Sequence, residues 1–151
     1  MTLHESLHAL EAHYLAMPPV AAMQPRIAGY DGERLRLHAP LSLHVNDKDC
    51  AFGGSLVSLM TLAGWGLVTL RVQQAGLEAD VYVADSQVNY LAPLFVDIEA
   101  AAGLAEGESW ARFLDTLRER RRARVEIAAE VPLPDGSIAT RMRARYVAIG
   151  R

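Results

Sequence analysis

The chain has 151 residues, a formal net charge of −3 and about half hydrophobic residues, which is ordinary for one globular domain with a full core, residues 1–151. This charge balance gives no overall basic surface for binding nucleic acid. The single cysteine, Cys50, excludes an internal disulfide and a zinc–thiolate site, and it fits a reducing cytoplasm.

The N-terminal third predicts a helix followed by strands. Apolar residues recur at helical spacing over residues 2–16, and Pro18-Pro19 is expected to end that helix. A short strand is expected within residues 20–30. Apolar and polar residues then alternate from Leu35 to Val45, which predicts a half-buried strand that is interrupted or at an edge near Pro40.

The longest uncharged run, residues 51–70, is the segment around which the chain is organised. Its length would cross a bilayer. However, its four glycines and four hydroxyl residues dilute its hydrophobicity, the flanking segments alternate like soluble strands, and no second apolar run exists. We therefore expect no membrane span but one long helix, about residues 53–75 and ended by Gly76, that is buried in a protein core.

The rest of the chain predicts mainly sheet. Residues 79–92 and 94–104 are predicted to form strands, and residues 109–117 a short helix. Residues 122–131 and 138–148 are predicted to form the two strands of a hairpin. Antiparallel strands with one long apolar helix predict an α+β fold. A sheet curled around that helix would explain why the helix needs no polar face.

Two passages of the chain carry a resemblance to known proteins. Phe52-Gly53-Gly54-Ser55-Leu56 opens the long helix, and Asn89-Tyr90-Leu91-Ala92-Pro93-Leu94 follows it. Both resemble the hotdog fold, in which a curved antiparallel sheet wraps a central helix. Together with Ala63-Gly64-Trp65-Gly66, the first passage resembles the thioesterase family that also forms the C-terminal half of YiiD-type proteins, over about residues 10–149.

This resemblance implies hydrolysis of an acyl-CoA or an acyl-carrier-protein thioester. The CoA or phosphopantetheine would be part of the substrate, so no separate cofactor is expected. The resemblance also implies a homodimer, or a dimer of dimers, with a site shared between subunits. The residues expected to contact substrate in the two passages are Phe52, Gly53, Asn89 and Tyr90.

Thioester hydrolysis needs donors that polarise the carbonyl and a group that activates water. Amides at a helix N-terminus lack intrahelical partners and carry partial positive charge. Gly53 and Gly54 would let a carbonyl approach the backbone closely, so Gly54, with its neighbours Gly53 and Ser55, is the candidate oxyanion site. The other open interpretation is that the two glycines only permit a tight strand-to-helix turn.

The group that activates water is less obvious, because residues 53–70 contain no acid, whereas related thioesterases often carry one on this helix. Asp85 is the candidate on the following strand, and Asp47 and Asp49 in the preceding loop are weaker ones. Asn46, at the strand end, is expected to hold the water or the carbonyl. The missing acid also favours the alternative function, a non-catalytic acyl-CoA-binding or sensor protein.

Two serines and two histidines lie near the proposed site in the sequence. Ser55 and Ser58 are expected to contact substrate, but no Ser–His–Asp motif surrounds them, and Ser55 is expected to cap the helix. His38 and His44 share the polar face of the predicted strand and are expected at the surface. No further ligand has suitable spacing, so no metal site is predicted.

A basic cluster lies in the last two strands and before them. It includes Arg122 and Arg124, and its other members are Arg118, Arg120, Arg121, Arg141, Arg143 and Arg145. One interpretation is a solvated face balanced by glutamates. The other is a cradle for CoA phosphates or for an acidic carrier protein. Aromatic residues are not interleaved with the arginines, which disfavours a nucleic-acid partner.

Overall fold

The computed structural model describes residues 1–151 and contains four α-helices, one short 3-10 helix and six strands. The helices are α1 (Leu3–Ala16), α2 (Pro18–Met23), α3 (Gly53–Gln74) and α4 (Trp110–Arg120), and the 3-10 helix is Leu41–Leu43. The strands are β1 (Arg26–Tyr30), β2 (Leu35–Ala39), β3 (Ala79–Tyr90), β4 (Ile98–Leu104), β5 (Arg122–Pro132) and β6 (Ile138–Gly150).

All six strands form one antiparallel sheet in the order β1-β2-β4-β5-β6-β3. The sheet is curved, and α3 lies in its concavity. Tyr146 on β6 contacts this helix: its hydroxyl donates to the carbonyl of Thr61 at 2.8 Å. We call the face of the sheet that carries Tyr146 the inner face, and the opposite face the outer face.

The buried helix α3 forms the centre of the core. Ten of its 22 residues are buried, on several sides of the helix, which agrees with its uniformly apolar sequence. It is long and apolar enough to cross a membrane by length and composition alone. Its burial against the sheet and α1 accounts for the same composition. The predicted α+β fold with a sheet wrapped around this helix is confirmed.

Two local predictions near the N-terminus need correction. The helix over residues 2–16 ends as predicted, but Pro18 and Pro19 also start a second helix, α2, because proline fits the first turn of a helix without losing a hydrogen bond. The strand predicted to run to Val45 ends at Ala39. Beyond Pro40 the chain turns through the 3-10 helix and leaves the extended conformation.

A tight loop, residues 46–50, precedes the start of α3. The side chain of Asn46 organises this loop, since its Oδ1 accepts from the amides of Lys48 at 2.8 Å and Cys50 at 3.2 Å. The backbone then bridges Val45 and Ala51. The result is a closed turn that fixes the direction in which α3 begins.

Candidate active site

The start of α3 presents three amides that have no acceptor within the chain. Phe52 is the N-cap residue and offers no side-chain bond, and the first intrahelical bond runs from the amide of Leu56 to the Phe52 carbonyl at 3.1 Å. The amides of Gly53, Gly54 and Ser55 are left unpaired. They point outward at the positive end of the helix dipole, where a negatively polarised oxygen would be stabilised.

Two aromatic rings lie against the glycines of this helix start. A Cβ on Gly53 would come within 3.3 Å of the ring of Tyr90, and a Cβ on Gly54 would collide with the ring of Phe52. The Tyr90 hydroxyl also donates to the Gly53 carbonyl at 3.1 Å. Both rings are about half exposed. The glycines therefore serve the packing of the rings as well as access to the amides.

A cleft of about 310 Å³ opens beside these residues, between the start of α3, the end of β3 and the start of β6. Asn46, Gly53 and Tyr90 line it, so the structure brings these three predicted site residues together. Thr140 lines it too, and its residue is fully buried. The Thr140 hydroxyl has no hydrogen-bond partner, which is costly for a buried polar group unless a ligand or water completes it.

Sequence patterns did not indicate Thr140. It lies on the inner face of β6, opposite Tyr90 of β3, and in the sequence it is one more small residue in an alternating strand. Only the register of the two strands places it in the cleft.

The histidine predicted at the surface is in fact buried beside α3. His44 is 4% exposed, because the turn after Pro40 rotates it inward. Its Nδ1 lies 2.8 Å from the Ser55 hydroxyl, and its Nε2 lies 2.8 Å from the carbonyl oxygen of Met23. The expected capping role of Ser55 is therefore wrong: Phe52 is the N-cap, and the Ser55 hydroxyl bonds to His44 instead.

The remaining candidates on the helix and in the loop have clear positions. The side-chain Oδ1 of Asn46 accepts the loop amides described above, and its Nδ2 donates to the Cys50 sulfur at 3.2 Å. Ser58, one turn after Gly54, is partly exposed. Asp47 is exposed and pairs with Lys48.

Asp85 and Asn89 lie on the outer face of the sheet, away from α3. Asp85 pairs in register with Arg145, and Asn89 with Arg141. Residues directly opposite in a sheet share a face, and both arginines point away from the inner-face residue Tyr146. The sheet therefore separates these two candidates from the start of α3 in the same chain.

The Asp85 carboxylate forms an ion pair with Arg145. Both of its oxygens accept from the Arg145 guanidinium, with distances from Nε of 2.9 and 3.1 Å. These hydrogen bonds, together with the charge of Arg145, hold the pKa of the Asp85 carboxyl below its ordinary value. The carboxylate stays ionised at neutral pH, but it faces solvent.

The basic residues Arg122 and Arg124 are also on the outer face, and they lie towards the far end of β5. Arg122 pairs with Ile149, whereas Thr140 in the cleft pairs with Val131. At about 3.3 Å per residue this separates Arg122 from the cleft by roughly 30 Å along the sheet. The structure therefore does not bring this arginine pair to the helix start of its own chain.

A sheet wrapped around a long apolar helix, with an unpaired helix N-terminus that opens on a cleft, defines a hotdog domain of the thioesterase class. The model of the family described as "Putative thioesterase (yiiD_Cterm)" matches residues 8–150. The chain belongs to this thioesterase family.

Solved structures share the whole fold. A protein of unknown function from Chlorobaculum tepidum TLS is 27% identical, with a TM-score of 0.92 over 99% of this chain and 98% of that one. A "putative thioesterase" from Shewanella oneidensis is also 27% identical, with a TM-score of 0.88 over 97% and 99% of the two chains. A thioesterase from Haemophilus influenzae is 13% identical, with a TM-score of 0.72 over 95% and 90%, and shows the likeness of fold alone.

Proposed function

We propose that this protein hydrolyses an acyl thioester of CoA or of an acyl carrier protein, with the thioester carbonyl held at the start of α3. The observation that carries this proposal is the set of three unpaired amides, on Gly53, Gly54 and Ser55, beside a cleft that contains the unpartnered hydroxyl of Thr140. A carbonyl oxygen that gains negative charge as the thioester is attacked would accept from these donors.

The surroundings of the helix start suit an acyl group and its pantetheine arm. Phe52, Tyr90 and Leu91 are large apolar side chains that remain 54%, 56% and 55% exposed in the single chain. Exposed apolar side chains concentrated at one place mark a surface that binds a ligand or another protein. An acyl chain or a partner subunit would remove this surface from water.

A second copy of the chain is proposed to pair along β3. This strand is twelve residues long and stands at one edge of the sheet, so one side of its backbone has no neighbour. Its exposed side chains include Tyr82 and Val83. Long, apolar, uncovered edge strands favour pairing with another chain. Light scattering should then give twice the chain mass of 16.5 kDa, and Val83→Lys should shift the protein towards the monomer.

The alternative, an acyl-CoA-binding protein that does not hydrolyse its ligand, is favoured by one observation. No carboxylate lies on α3 between residues 53 and 70, and Asp85 is on the other face of the sheet. This alternative predicts binding of acyl-CoA in isothermal titration without release of a thiol.

The test of the proposed function is thiol release from a panel of thioesters. Acyl-CoA and acyl-carrier-protein substrates of increasing chain length are mixed with the purified protein, and free thiol is measured against a blank without protein. Turnover of at least one substrate class is expected. Binding without thiol release would replace hydrolysis by the alternative, and neither binding nor release would reject both.

A further inference from the structure

We propose that Ser55 is the nucleophile of the reaction and that His44 is its base, so that hydrolysis passes through an acyl-serine. This inference rests on the proposed thioesterase function and names the residues that perform it. Ser55 is the third residue of α3 and stays partly exposed, while His44 is buried behind it. An activated nucleophile is recognised by such a base within hydrogen-bond reach and by a third group that orients the base.

The Met23 carbonyl is the third group, and it determines how the imidazole is protonated. A carbonyl oxygen only accepts, so the 2.8 Å contact requires a hydrogen on His44 Nε2. In the neutral ring Nδ1 then has a free lone pair. The Ser55 hydroxyl, 2.8 Å away, must donate to it. This is the arrangement in which a serine can pass its proton to histidine as it attacks a carbonyl carbon.

The position of Ser55 on the helix brings its hydroxyl close to the oxyanion donors. Helix side chains tilt towards the N-terminus, so the Ser55 side chain leans towards the open end of α3. Its own amide is one of the three unpaired donors, together with those of Gly53 and Gly54. In chymotrypsin-type serine proteases the amide of the nucleophile is likewise one of the oxyanion donors. The positive end of the helix dipole stabilises the negative charge that develops there.

The reaction then balances with water as the only co-reactant. The Ser55 oxygen forms a bond to the thioester carbon while its proton moves to His44 Nδ1. The C–S bond breaks, and the leaving thiolate takes that proton to become the free thiol. Water next attacks the acyl-serine and gives a proton to Nδ1, and the Ser55 oxygen recovers it as the carboxylic acid leaves. No carboxylate on α3 is required.

The closing experiment combines a serine-directed alkyl fluorophosphonate with the thioester assay. The reagent phosphonylates an activated serine and expels fluoride, and intact-mass and peptide mass spectrometry locate the adduct. We expect about one adduct per chain on Ser55 and loss of thioester hydrolysis in parallel. Thiol release without an adduct on Ser55 overturns the nucleophile but keeps the thioesterase. An adduct without hydrolysis of any thioester keeps the nucleophile and rejects the proposed function. Absence of both rejects both.

Three variants separate chemistry from structure, because the same hydrogen bonds also fasten α2 and the 3-10 helix to α3. Ser55→Ala should lose the adduct and at least about 100-fold in turnover, and His44→Gln, which can still donate to the Met23 carbonyl, should slow labelling by about 100-fold or more. Ser42→Ala, an exposed serine of the 3-10 helix, should keep both rates. Thermal unfolding of each variant identifies a loss that is due to misfolding. A folded Ser55→Ala protein with undiminished turnover overturns the proposal.

Discussion

The hydroxyl of Tyr14 occupies the space that Gly66 leaves open on the central helix. It donates a 2.6 Å hydrogen bond to the carbonyl of Leu62, one turn earlier. A Cβ on residue 66 would fall well inside contact distance of this hydroxyl. The glycine that weakens α3 by its low helix propensity is therefore the point at which α1 packs onto it.

Tyr146 and Gly64 repeat this relationship on the side of the sheet. The Tyr146 hydroxyl donates to the Thr61 carbonyl at 2.8 Å, and a Cβ on Gly64 would collide with the same ring. One tyrosine therefore packs against each of the two glycines that flank Trp65: Tyr14 of α1 against Gly66, and Tyr146 of β6 against Gly64. Both positions of α3 are therefore glycine because a neighbouring tyrosine packs directly against the helix backbone there.

Replacing Gly66 with alanine should destabilise the protein. Alanine gains about 1 kcal/mol in helix propensity, but overpacking against Tyr14 costs typically 1–3 kcal/mol. The difference of these two terms is a fall of about 0–2 kcal/mol in the free energy of unfolding in urea, and we expect about 1 kcal/mol. In the double variant Gly66→Ala with Tyr14→Phe, the missing hydroxyl should relieve part of the clash and give a favourable coupling energy. Gln73→Ala, on an exposed turn of α3, is the control, and a stabilised Gly66→Ala protein would contradict the packing.

Alkaline pH should unfold the protein through these same tyrosines. Burial raises the pKa of Tyr14 and of Tyr146 well above the ordinary value for tyrosine. The unfolded chain therefore releases these protons first, so the stability they contribute is complete below about pH 10 and is lost as the pH rises towards the folded-state pKa values. Lys48 is the only lysine, so lysine side chains contribute little to this transition.

The measurement is urea unfolding at about pH 8 and at about pH 11, either side of the ordinary tyrosine pKa. The wild type should lose stability between the two, and Tyr146→Phe should lose less. At the lower pH the same variant should be weaker by about 1 kcal/mol, the usual net value of one hydrogen bond. An equal loss in both proteins would mean that other groups control the alkaline transition.

Much of the fold followed from local sequence patterns. The uncharged run predicted residues 53–75 as a helix, and α3 is Gly53–Gln74. The alternation in the last two strands predicted the hairpin, and β5 and β6 pair over eleven positions of register. In α3 the unbroken apolar composition carries this information, and in the hairpin the alternation of apolar and polar residues carries it, so both could be recognised from the local sequence.

The candidate site was predicted only in part, because its contacts join distant segments. Asn46, Gly53 and Tyr90 do meet at the cleft. The bonds of His44 join it to Ser55, eleven residues later, and to Met23, twenty-one residues earlier. Contacts between residues so far apart in the chain cannot be recognised from local spacing. The alternation up to Val45 predicted a strand in which His44 would face solvent. A break at Pro40 was expected, but not the inward turn that follows it.

Asp85→Asn should alter the acid stability of the protein rather than its chemistry. The pKa of Asp85 is lowered mainly by the Arg145 hydrogen bonds, so the stability from this pair is present at neutral pH and is lost as the pH falls through the depressed folded-state value. Thermal unfolding of the asparagine variant should therefore depend less on pH below about pH 4, the ordinary range of aspartate.

Thioester turnover by Asp85→Asn is expected to stay within about twofold of the wild type at neutral pH, since the side chain lies on the outer face of the sheet. Arg145→Gln, which removes the other partner of the pair, is the matched variant and should reproduce the change in acid stability. A fall in turnover of about 100-fold or more, confined to Asp85→Asn, would instead place this carboxylate in proton transfer.

Thr140→Val should separate stability from activity at the candidate site. Valine has nearly the same shape but no hydroxyl, and the Thr140 hydroxyl is buried without a partner. Removing it should leave the free energy of unfolding unchanged or raise it by about 1 kcal/mol, because the desolvation cost disappears. If that hydroxyl donates to the substrate in the cleft, kcat/KM for the thioester should fall by about tenfold, the equivalent of one hydrogen bond.

Thr69 supplies the matched control for Thr140. It is the only other residue with a buried, unpartnered side-chain oxygen, and it lines a separate cavity of about 490 Å³ near the end of α3. Thr69→Val should change stability in the same direction as Thr140→Val and leave turnover intact, while Thr140→Ser should retain most of the activity. Equal turnover in wild type, Thr140→Val and Thr69→Val would mean that the cleft hydroxyl does not contact the thioester, and that the α3 amides bind the carbonyl without it.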